Sequence, residues 1–171
     1  MDDPRSTRRL GRGMMFLASL ALLGLLWLGF DGYLDNSWNP NRDLSVQEGQ
    51  SELVLKRNRA GHYVAPGTIN GEAVTFLLDT GATQVSVPAH LADALGLVPG
   101  TPARVSTANG SVTVRQTVID ELGLGPFLAR NVRGHLNPGY RSDEILLGMS
   151  VLRNLEFTQR GDTLILRAPG R

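Results

Sequence analysis

The residue best placed to do chemistry is Asp79, which follows the apolar run Phe76–Leu78 and opens a turn of small and hydroxyl-bearing residues, Thr80–Thr83. A carboxylate at the end of an apolar strand loses solvation unless donors surround it. Gly81 and Thr83 can supply backbone N–H and hydroxyl groups at the right chain distance. A lone Asp-Thr-Gly tripeptide is most often only a turn cap. Its surroundings in the chain therefore decide whether this carboxylate is catalytic.

Two further segments follow Asp79 in the chain. Asn109-Gly110 lies between two runs with alternating residues, Ala103–Thr107 and Ser111–Ile119. Asn-Gly between such runs predicts a β-hairpin, because both residues tolerate the positive φ of a type I′ turn. Farther on, the apolar run Ile145–Leu147 ends in a glycine before a short helical stretch. Along the chain there are thus an acidic turn, then a projecting hairpin, and then an apolar run that ends in glycine.

This ordered set resembles the retropepsin-like aspartic peptidases. Phe76–Thr83 is similar to their catalytic motif, the Asn109-Gly110 hairpin to their flap, and Ile145–Gly148 to their second marker. Leu146–Ser150 is similar to the Leu-Leu-Gly-Met-Ser segment of the bacterial membrane-anchored members. The resemblance covers residues 52–167 and implies an all-β fold, a retropepsin-like acid protease barrel with one lobe per chain and two short helices.

The resemblance also implies a role for each residue of these segments. Asp79 is the catalytic residue of an aspartic endopeptidase, Thr80 hydrogen-bonds across a dimer axis, and Gly81 lets backbone N–H groups approach the carboxylate. The remaining supports of the active-site loop are Ala82, Thr83 and Gly148. The substrate-binding flap, which closes over bound peptide and excludes water, consists of Thr107, Ala108, Asn109, Gly110 and Ser111.

A single Asp-Thr-Gly occurs in the chain, and this decides the expected assembly. Aspartic peptidases use two carboxylates about 3 Å apart that share one proton, because two like charges so close cannot both ionise. A twofold homodimer places Asp79 beside its symmetry mate. One carboxylate then activates a water while its protonated partner polarises the scissile carbonyl, so no metal or cofactor is expected. The resemblance implies a sheet of chain ends shared between subunits, with Leu53–Leu55 and Leu164–Leu166 as candidates.

Short apolar or alternating runs between turn residues predict the strands that position Asp79. Asn70-Gly71 predicts a further type I′ hairpin, and Gly161-Asp162 predicts the turn into the last strand. No strand–helix alternation indicates a nucleotide-binding α/β fold. The predicted strands are Leu53–Leu55, His62–Ile69, Ala73–Leu78, Ala103–Thr107, Ser111–Ile119, Phe127–Leu136, Glu156–Gln159 and Thr163–Leu166, with short helices at Pro88–Leu95 and Ser150–Asn154.

The amino-terminal part of the chain predicts a membrane anchor. Residues 14–30 carry no charge and, at about 1.5 Å per residue in a helix, just cross a hydrocarbon core. The alternatives are a buried core helix and a signal peptide, but no A-x-A-like cleavage site follows. Arginines precede the span and aspartates follow it, which predicts a cytoplasmic amino terminus and an extracytoplasmic domain, periplasmic in a bacterium.

The predicted parts of the chain are a cytoplasmic segment at 1–13, a transmembrane helix at 14–30, a flexible stalk at 31–51, a protease domain at 52–168 and a tail at 169–171. The polar composition of the stalk, without a sustained hydrophobic period, is typical of a tether. Anchoring two copies in one bilayer raises their effective concentration, so we expect membrane density to favour the dimer.

Composition and spacing exclude several other functions. Net charge is +1 and the globular part has no Lys/Arg run, so no nucleic-acid partner is expected. The chain has no cysteine, its histidines are widely spaced, and no serine lies in a G-x-S-x-G motif, which argues against a metal site and a serine hydrolase. Two alternatives to a peptidase stay open: a non-catalytic, membrane-tethered peptide-binding module on the same fold, and a structural β domain.

Overall fold

The computed structural model describes residues 4–44, 50–107 and 110–170, and the side chains of 13–29, 38–44, 50–107 and 110–170. Ala108 and Asn109 of the predicted flap, and 45–49 of the predicted stalk, lie outside the described residues. The chain divides into two compact units, Met1–Ser37 and Trp38–Arg171. Helix α1, Pro4–Trp38, ends at the first residue of the second unit.

The described residues of the second unit form ten short strands, because turn residues divide its apolar runs. Asn70 and Gly71 have φ angles of 52° and 88°, as the predicted type I′ turn requires. Every predicted strand is present, and two more complete the set, β4 and β8. The strands are β1 Glu52–Lys56, β2 Tyr63–Ile69, β3 Glu72–Leu78, β4 Val85–Pro88, β5 Pro102–Thr107, β6 Gly110–Leu124, β7 Phe127–Asn137, β8 Glu144–Leu147, β9 Glu156–Arg160 and β10 Thr163–Arg167.

Six of these strands close into a barrel around the hydrophobic core. Neighbours follow the order β2-β3-β8-β4-β7-β6, and pairing of β6 with β2 closes the ring. The close crossing of β2 and β6 requires Gly67, since a Cβ there would lie 2.4 Å from the carbonyl oxygen of Gly123. Phe76, Ile145 and Leu147 are completely buried inside. The predicted all-β barrel class is confirmed.

A separate antiparallel sheet joins the two ends of the domain in the order β1-β10-β9. Leu53 lies opposite Leu166, and Leu55 opposite Leu164. The two runs predicted for a sheet shared between subunits are therefore neighbours within one chain. Strand β9 has every side chain exposed, and among the described residues it pairs with β10 alone. That edge of the sheet therefore has no partner strand in the described part of the chain.

The short helices differ slightly from prediction. Pro88 ends β4, where parallel pairing places it beside Asn137, so the predicted helix Pro88–Leu95 begins later. Only Ala89–Leu91 is helical, as a 3-10 turn; residues 92–95 are an irregular turn, and Gly96 follows with a φ of 64°. The second predicted helix, Ser150–Asn154, is present as α2, Met149–Leu152.

The residues before the domain differ more strongly from the prediction. The polar run predicted as a flexible stalk from residue 31 is helical up to Trp38, and Asn41 is buried. The Asn41 amide donates hydrogen bonds to the carbonyl oxygens of Lys56 and Val64 at 2.9 and 2.7 Å, and its Oδ1 accepts one from Lys56 N–H at 2.7 Å. Local composition could not reveal these contacts, because their partners lie 15 and 23 residues away.

Helix α1 contains the predicted membrane span, residues 14–30. Within the described part of the chain, however, no helix has a stretch both long and apolar enough to cross a bilayer. The transmembrane helix stays a prediction.

Candidate active site

Strand β8 holds Asp79 at the end of β3. Parallel pairing sets Leu78 beside Leu147, and the Asp79 N–H donates a hydrogen bond to the Leu147 carbonyl oxygen at 3.1 Å. The side chain of Asp79 is half-buried. The carboxylate therefore leaves the barrel at a fixed point, where two neighbouring strands end together.

The turn after Asp79 supplies the donors that its sequence predicts. Gly81 N–H donates to Asp79 Oδ1 at 2.8 Å, and Ala82 N–H donates to the Asp79 carbonyl oxygen at 3.2 Å. A Cβ on Gly81 would lie only 3.1 Å from that same Oδ1, which is tighter than ordinary contact. Glycine thus lets the backbone approach the carboxylate, in agreement with the predicted role of Gly81.

Gly148 joins this turn to helix α2. Met149 N–H donates to the Ala82 carbonyl oxygen at 2.8 Å, and Ser150 N–H donates to that of Thr83 at 2.9 Å. A Cβ on Gly148 would lie 2.4 Å from the Gln84 carbonyl oxygen and 2.6 Å from that of Ala82. Glycine is therefore the only residue type that allows this packing at position 148. The structure brings together Asp79 and its predicted loop supports.

Asp79 and Thr80 open onto a hollow of about 270 Å³. Thr80 is exposed. Much of the rest of the lining is apolar, from α2 and the sheet of chain ends: Leu152, Phe157, Leu164 and Leu166. Phe157 is 49% exposed, whereas Leu152, Leu164 and Leu166 are buried. The hollow thus places the candidate catalytic group beside one exposed aromatic side chain.

A larger hollow of about 610 Å³ lies elsewhere, and Asp79 is not among its lining residues. Gln116, Asp120 and Arg133 contribute to its walls. Size alone would select this hollow, but it lacks a constellation with recognisable chemistry. We place the candidate site at Asp79 because its backbone donors and open carboxylate are arranged for proton transfer.

The predicted flap is an antiparallel hairpin of β5 and β6. Thr107 lies opposite Gly110 and Ser106 opposite Ser111, and the Thr107 hydroxyl donates to the Gly110 carbonyl oxygen at 2.8 Å. Gly110 has a φ of 109°, which favours glycine. The described flap residues Thr107, Gly110 and Ser111 are all exposed. The hairpin is confirmed, and its action on a peptide stays a prediction.

Sequence reasoning missed three residues: Trp38, Tyr140 and Glu144. Trp38 Nε1–H donates a hydrogen bond to Glu144 Oε1 at 2.7 Å. Burial raises the pKa of Tyr140 above its ordinary value of 10.0, and the charges of Glu144 and Asp79 raise it further, against a hydrogen bond with Ser142 that lowers it. Alternation along β8 could have indicated Glu144. No local signal connects Trp38 to a strand 106 residues away.

The histidines lie apart from one another. His90 Nε2 is 2.9 Å from Asp143 Oδ1 on the surface, and His62 is exposed. His135 is half-buried in β7, and this burial lowers its pKa below the ordinary 6.5. In the residues that the structure describes, no three His, Asp or Glu side chains gather closely enough to hold a metal ion.

Comparison with known proteins agrees with this geometry. The family described as gag-polyprotein putative aspartyl protease matches residues 65–154, which include the Asp79 turn, the flap and Gly148. A retropepsin-like aspartic protease from Rickettsia conorii, known from its crystal structure, is similar with a TM-score of 0.56 and 27% identity. The similarity covers 68% of this chain and 90% of that one.

Two curated relatives are also similar. An uncharacterized protein in the cobV 5′ region of Sinorhizobium sp is 36% identical over 128 residues, which cover 72% of this chain and 55% of the relative. The uncharacterized protein RP867 of Rickettsia prowazekii (strain Madrid E) is 29% identical over 131 residues, 74% of this chain and 55% of the relative. The chain thus spans about half the length of these relatives. From the family match and the shared barrel, the chain belongs to the retropepsin-like aspartic protease family.

Proposed function

We propose that this protein is a membrane-anchored aspartic endopeptidase that hydrolyses peptide bonds as a homodimer. The observation that carries the proposal is how the Asp79 carboxylate is hydrogen-bonded. Gly81 N–H holds its Oδ1, while Oδ2 has no hydrogen-bond partner among the described residues. A fixed carboxylate with one open oxygen can take a proton from water. Family membership supports the same reaction class.

Each chain contributes one carboxylate to the proposed reaction. Across a twofold axis, two Asp79 side chains share a proton, because two carboxylates about 3 Å apart cannot both stay ionised. The ionised carboxylate removes a proton from water, which attacks the scissile carbonyl carbon, and the protonated carboxyl donates to the carbonyl oxygen. The proton taken from water then goes to the leaving nitrogen as the bond breaks. Thr80, exposed beside Asp79, bonds across the axis to its symmetry mate.

Two surfaces support the dimer. Phe157, which lines the hollow beside Asp79, is 49% exposed in a single chain. Strand β9, which contains Phe157, offers a free edge among the described residues. An antiparallel pair of β9 strands obeys twofold symmetry, since each patch meets its own copy. Such pairing would cover Phe157 and bring both Asp79 turns to the axis.

We further propose that residues 14–30 anchor the dimer in a membrane with the domain outside the cytoplasm. The uncharged run supports this, as do the exposed side chains along it, for example Leu25 at 68% and Trp27 at 69%. The test is fractionation of cells after alkaline carbonate washing, with protease added to intact spheroplasts. The protein should stay in the membrane fraction and its domain should be digested. Release into the wash would contradict the anchor.

The alternative function is a membrane-tethered module that binds peptides without cleaving them. The same fold and flap favour it, since a fold does not guarantee its chemistry. The intact Asp79 turn favours the enzyme, because it keeps an Asp-Thr-Gly turn within the segment that matches the aspartyl protease family.

Cleavage of mixed peptides by the full-length chain in detergent, from acidic to neutral pH, separates the two functions. We expect products from the native chain and none from Asp79→Asn, which keeps the shape of the side chain but cannot serve as the base. Glu121→Gln, on β6 beside the turn between β2 and β3, is the matched control and should keep native activity. Cleavage that survives Asp79→Asn would remove Asp79 from the mechanism. Peptide binding without cleavage by the native chain would support the binding module.

A further inference from the structure

The segment just before the barrel is bound to the domain at the start of strand β8. Trp38 donates its indole N–H to Glu144, and its carbonyl oxygen accepts a hydrogen bond from Asn58 Nδ2 at 3.0 Å. Asn41, three residues later, is buried, with side-chain bonds to Lys56 and Val64. Hydrogen bonds through both its side chain and its carbonyl oxygen therefore fix the position of Trp38 on the domain.

Glu144 and Leu146 share one face of β8. Ile145 and Leu147 are fully buried in the core, while Glu144 and Leu146 are half-buried. Successive side chains in a strand point to opposite faces. The Glu144 carboxylate therefore points to the face of the sheet opposite the core.

Asp79 continues this same face on the neighbouring strand. The parallel register places Thr75 beside Glu144 and Leu77 beside Leu146, and alternation carries on from Leu77 to Asp79. At about 3.3 Å per residue, Thr75 and Asp79 are about 13 Å apart along β3. An extended peptide that crosses this face reaches Glu144 a few residues from the bond held at Asp79.

The charge of Glu144 is available to a ligand. Its hydrogen bond from Trp38 comes from a neutral N–H, and none of the ion pairs among the described residues includes it. Trp38 is 44% exposed, so its ring is open to a ligand as well. A carboxylate beside an aromatic ring matches a lysine or arginine side chain.

We propose that Trp38 and Glu144 form a subsite that accepts a lysine or arginine side chain of the substrate, a few residues from the scissile bond. The proposal rests on the proposed peptidase function. Glu144 pairs with the cation, and the indole face contacts it through a cation–π interaction. The Trp38 N–H holds the carboxylate in place beforehand, which reduces the ordering needed on binding.

The test uses the full-length chain in detergent and pairs of peptides that differ at one position, lysine against norleucine, scanned along both sides of the cleaved bond. At one position we expect the native chain to favour lysine about tenfold in kcat/KM, which corresponds to about 1.4 kcal/mol. Glu144→Gln should reduce this ratio to about twofold or less, mainly through KM for the lysine peptide. Trp38→Phe, which keeps a ring but loses the N–H, should give an intermediate ratio.

Glu121→Gln and Trp27→Phe are the matched controls and should keep the native ratio. Equal ratios for native and Glu144→Gln chains at every position would overturn the subsite while leaving the peptidase intact. If the native chain cleaves nothing, the affinity for the same labelled peptides, measured by fluorescence anisotropy, tests the subsite independently of cleavage. Lysine-selective binding that Glu144→Gln abolishes would sustain the subsite and reject the peptidase, whereas unselective binding or no binding would reject the subsite.

Discussion

At the scale of single residues, the site depends on where a side chain is absent as much as on Asp79 itself. Gly81 brings a backbone donor to Asp79 Oδ1, and Gly148 lets α2 bond to the carbonyl oxygens of Ala82 and Thr83. Both glycines stood out in the sequence because they follow apolar strands in a recognisable order. The distances that make them necessary depend on two strands meeting, which no local pattern contains.

Gly148→Ala should unfold the turn in part. Its Cβ would meet backbone carbonyl oxygens at 2.4 and 2.6 Å, and backbone cannot move aside as a flexible side chain does. We expect a loss of about 1–3 kcal/mol in unfolding free energy, the usual cost of overpacking, and a large loss of cleavage. Denaturant unfolding and peptide assays measure the two effects. Gly170→Ala, with open space around it, is the control; equal behaviour of both variants would contradict the packing role.

His135 should make the domain less stable in acid. Burial lowers its pKa in the folded state below the 6.5 of the unfolded chain, so between these two values the unfolded chain binds more protons. Stability is thus fully present above pH 6.5 and falls as pH drops towards the folded value. His135→Gln should show a smaller drop in melting temperature from pH 7 to 5 than the native domain. The exposed His62→Gln is the control, and an unchanged drop in His135→Gln would reject this cause.

At the scale of elements, alternation and turn chemistry predicted the strands well, and both Asn-Gly hairpins are present. The failures have a common cause in distant contacts. Pro88 belongs to a strand because β7 pairs with it, and β4 itself is too short and too uniformly buried to show a period. The region predicted as a flexible stalk carries Asn41, whose partners are strand residues far along the chain.

Asn41→Ala should destabilise the domain although it lies before the first strand. The substitution leaves a carbonyl and an N–H of Lys56 and a carbonyl of Val64 without their partner. Each buried unsatisfied group costs about 1–3 kcal/mol, so we expect a loss of about 2–4 kcal/mol in unfolding free energy. Asn154→Ala, at an exposed residue just after α2, is the control. A domain that begins at Ser51 should show a similar loss; full stability of both would reject the anchoring role of Asn41.

At the scale of the whole molecule, the barrel class and the family followed from the sequence, and the assembly is where the proposal goes furthest. One chain has one Asp-Thr-Gly and an uncovered surface beside it, formed by Phe157 and the free edge of β9. The sequence placed the shared sheet on the strands now seen as β1 and β10. It could not reveal that these pair with each other, because pairing partners depend on how the ends of the barrel meet.

The central claim is that one active site needs an Asp79 from each of two chains. Native and Asp79→Asn chains should be mixed in detergent at a fixed total concentration, allowed to exchange, and assayed across the range of mixing ratios. If both carboxylates are needed, activity follows the square of the native fraction, and an equal mixture keeps about a quarter of native activity. Activity that instead falls in direct proportion to the native fraction would show that each chain works with its own Asp79 alone, and would contradict the account.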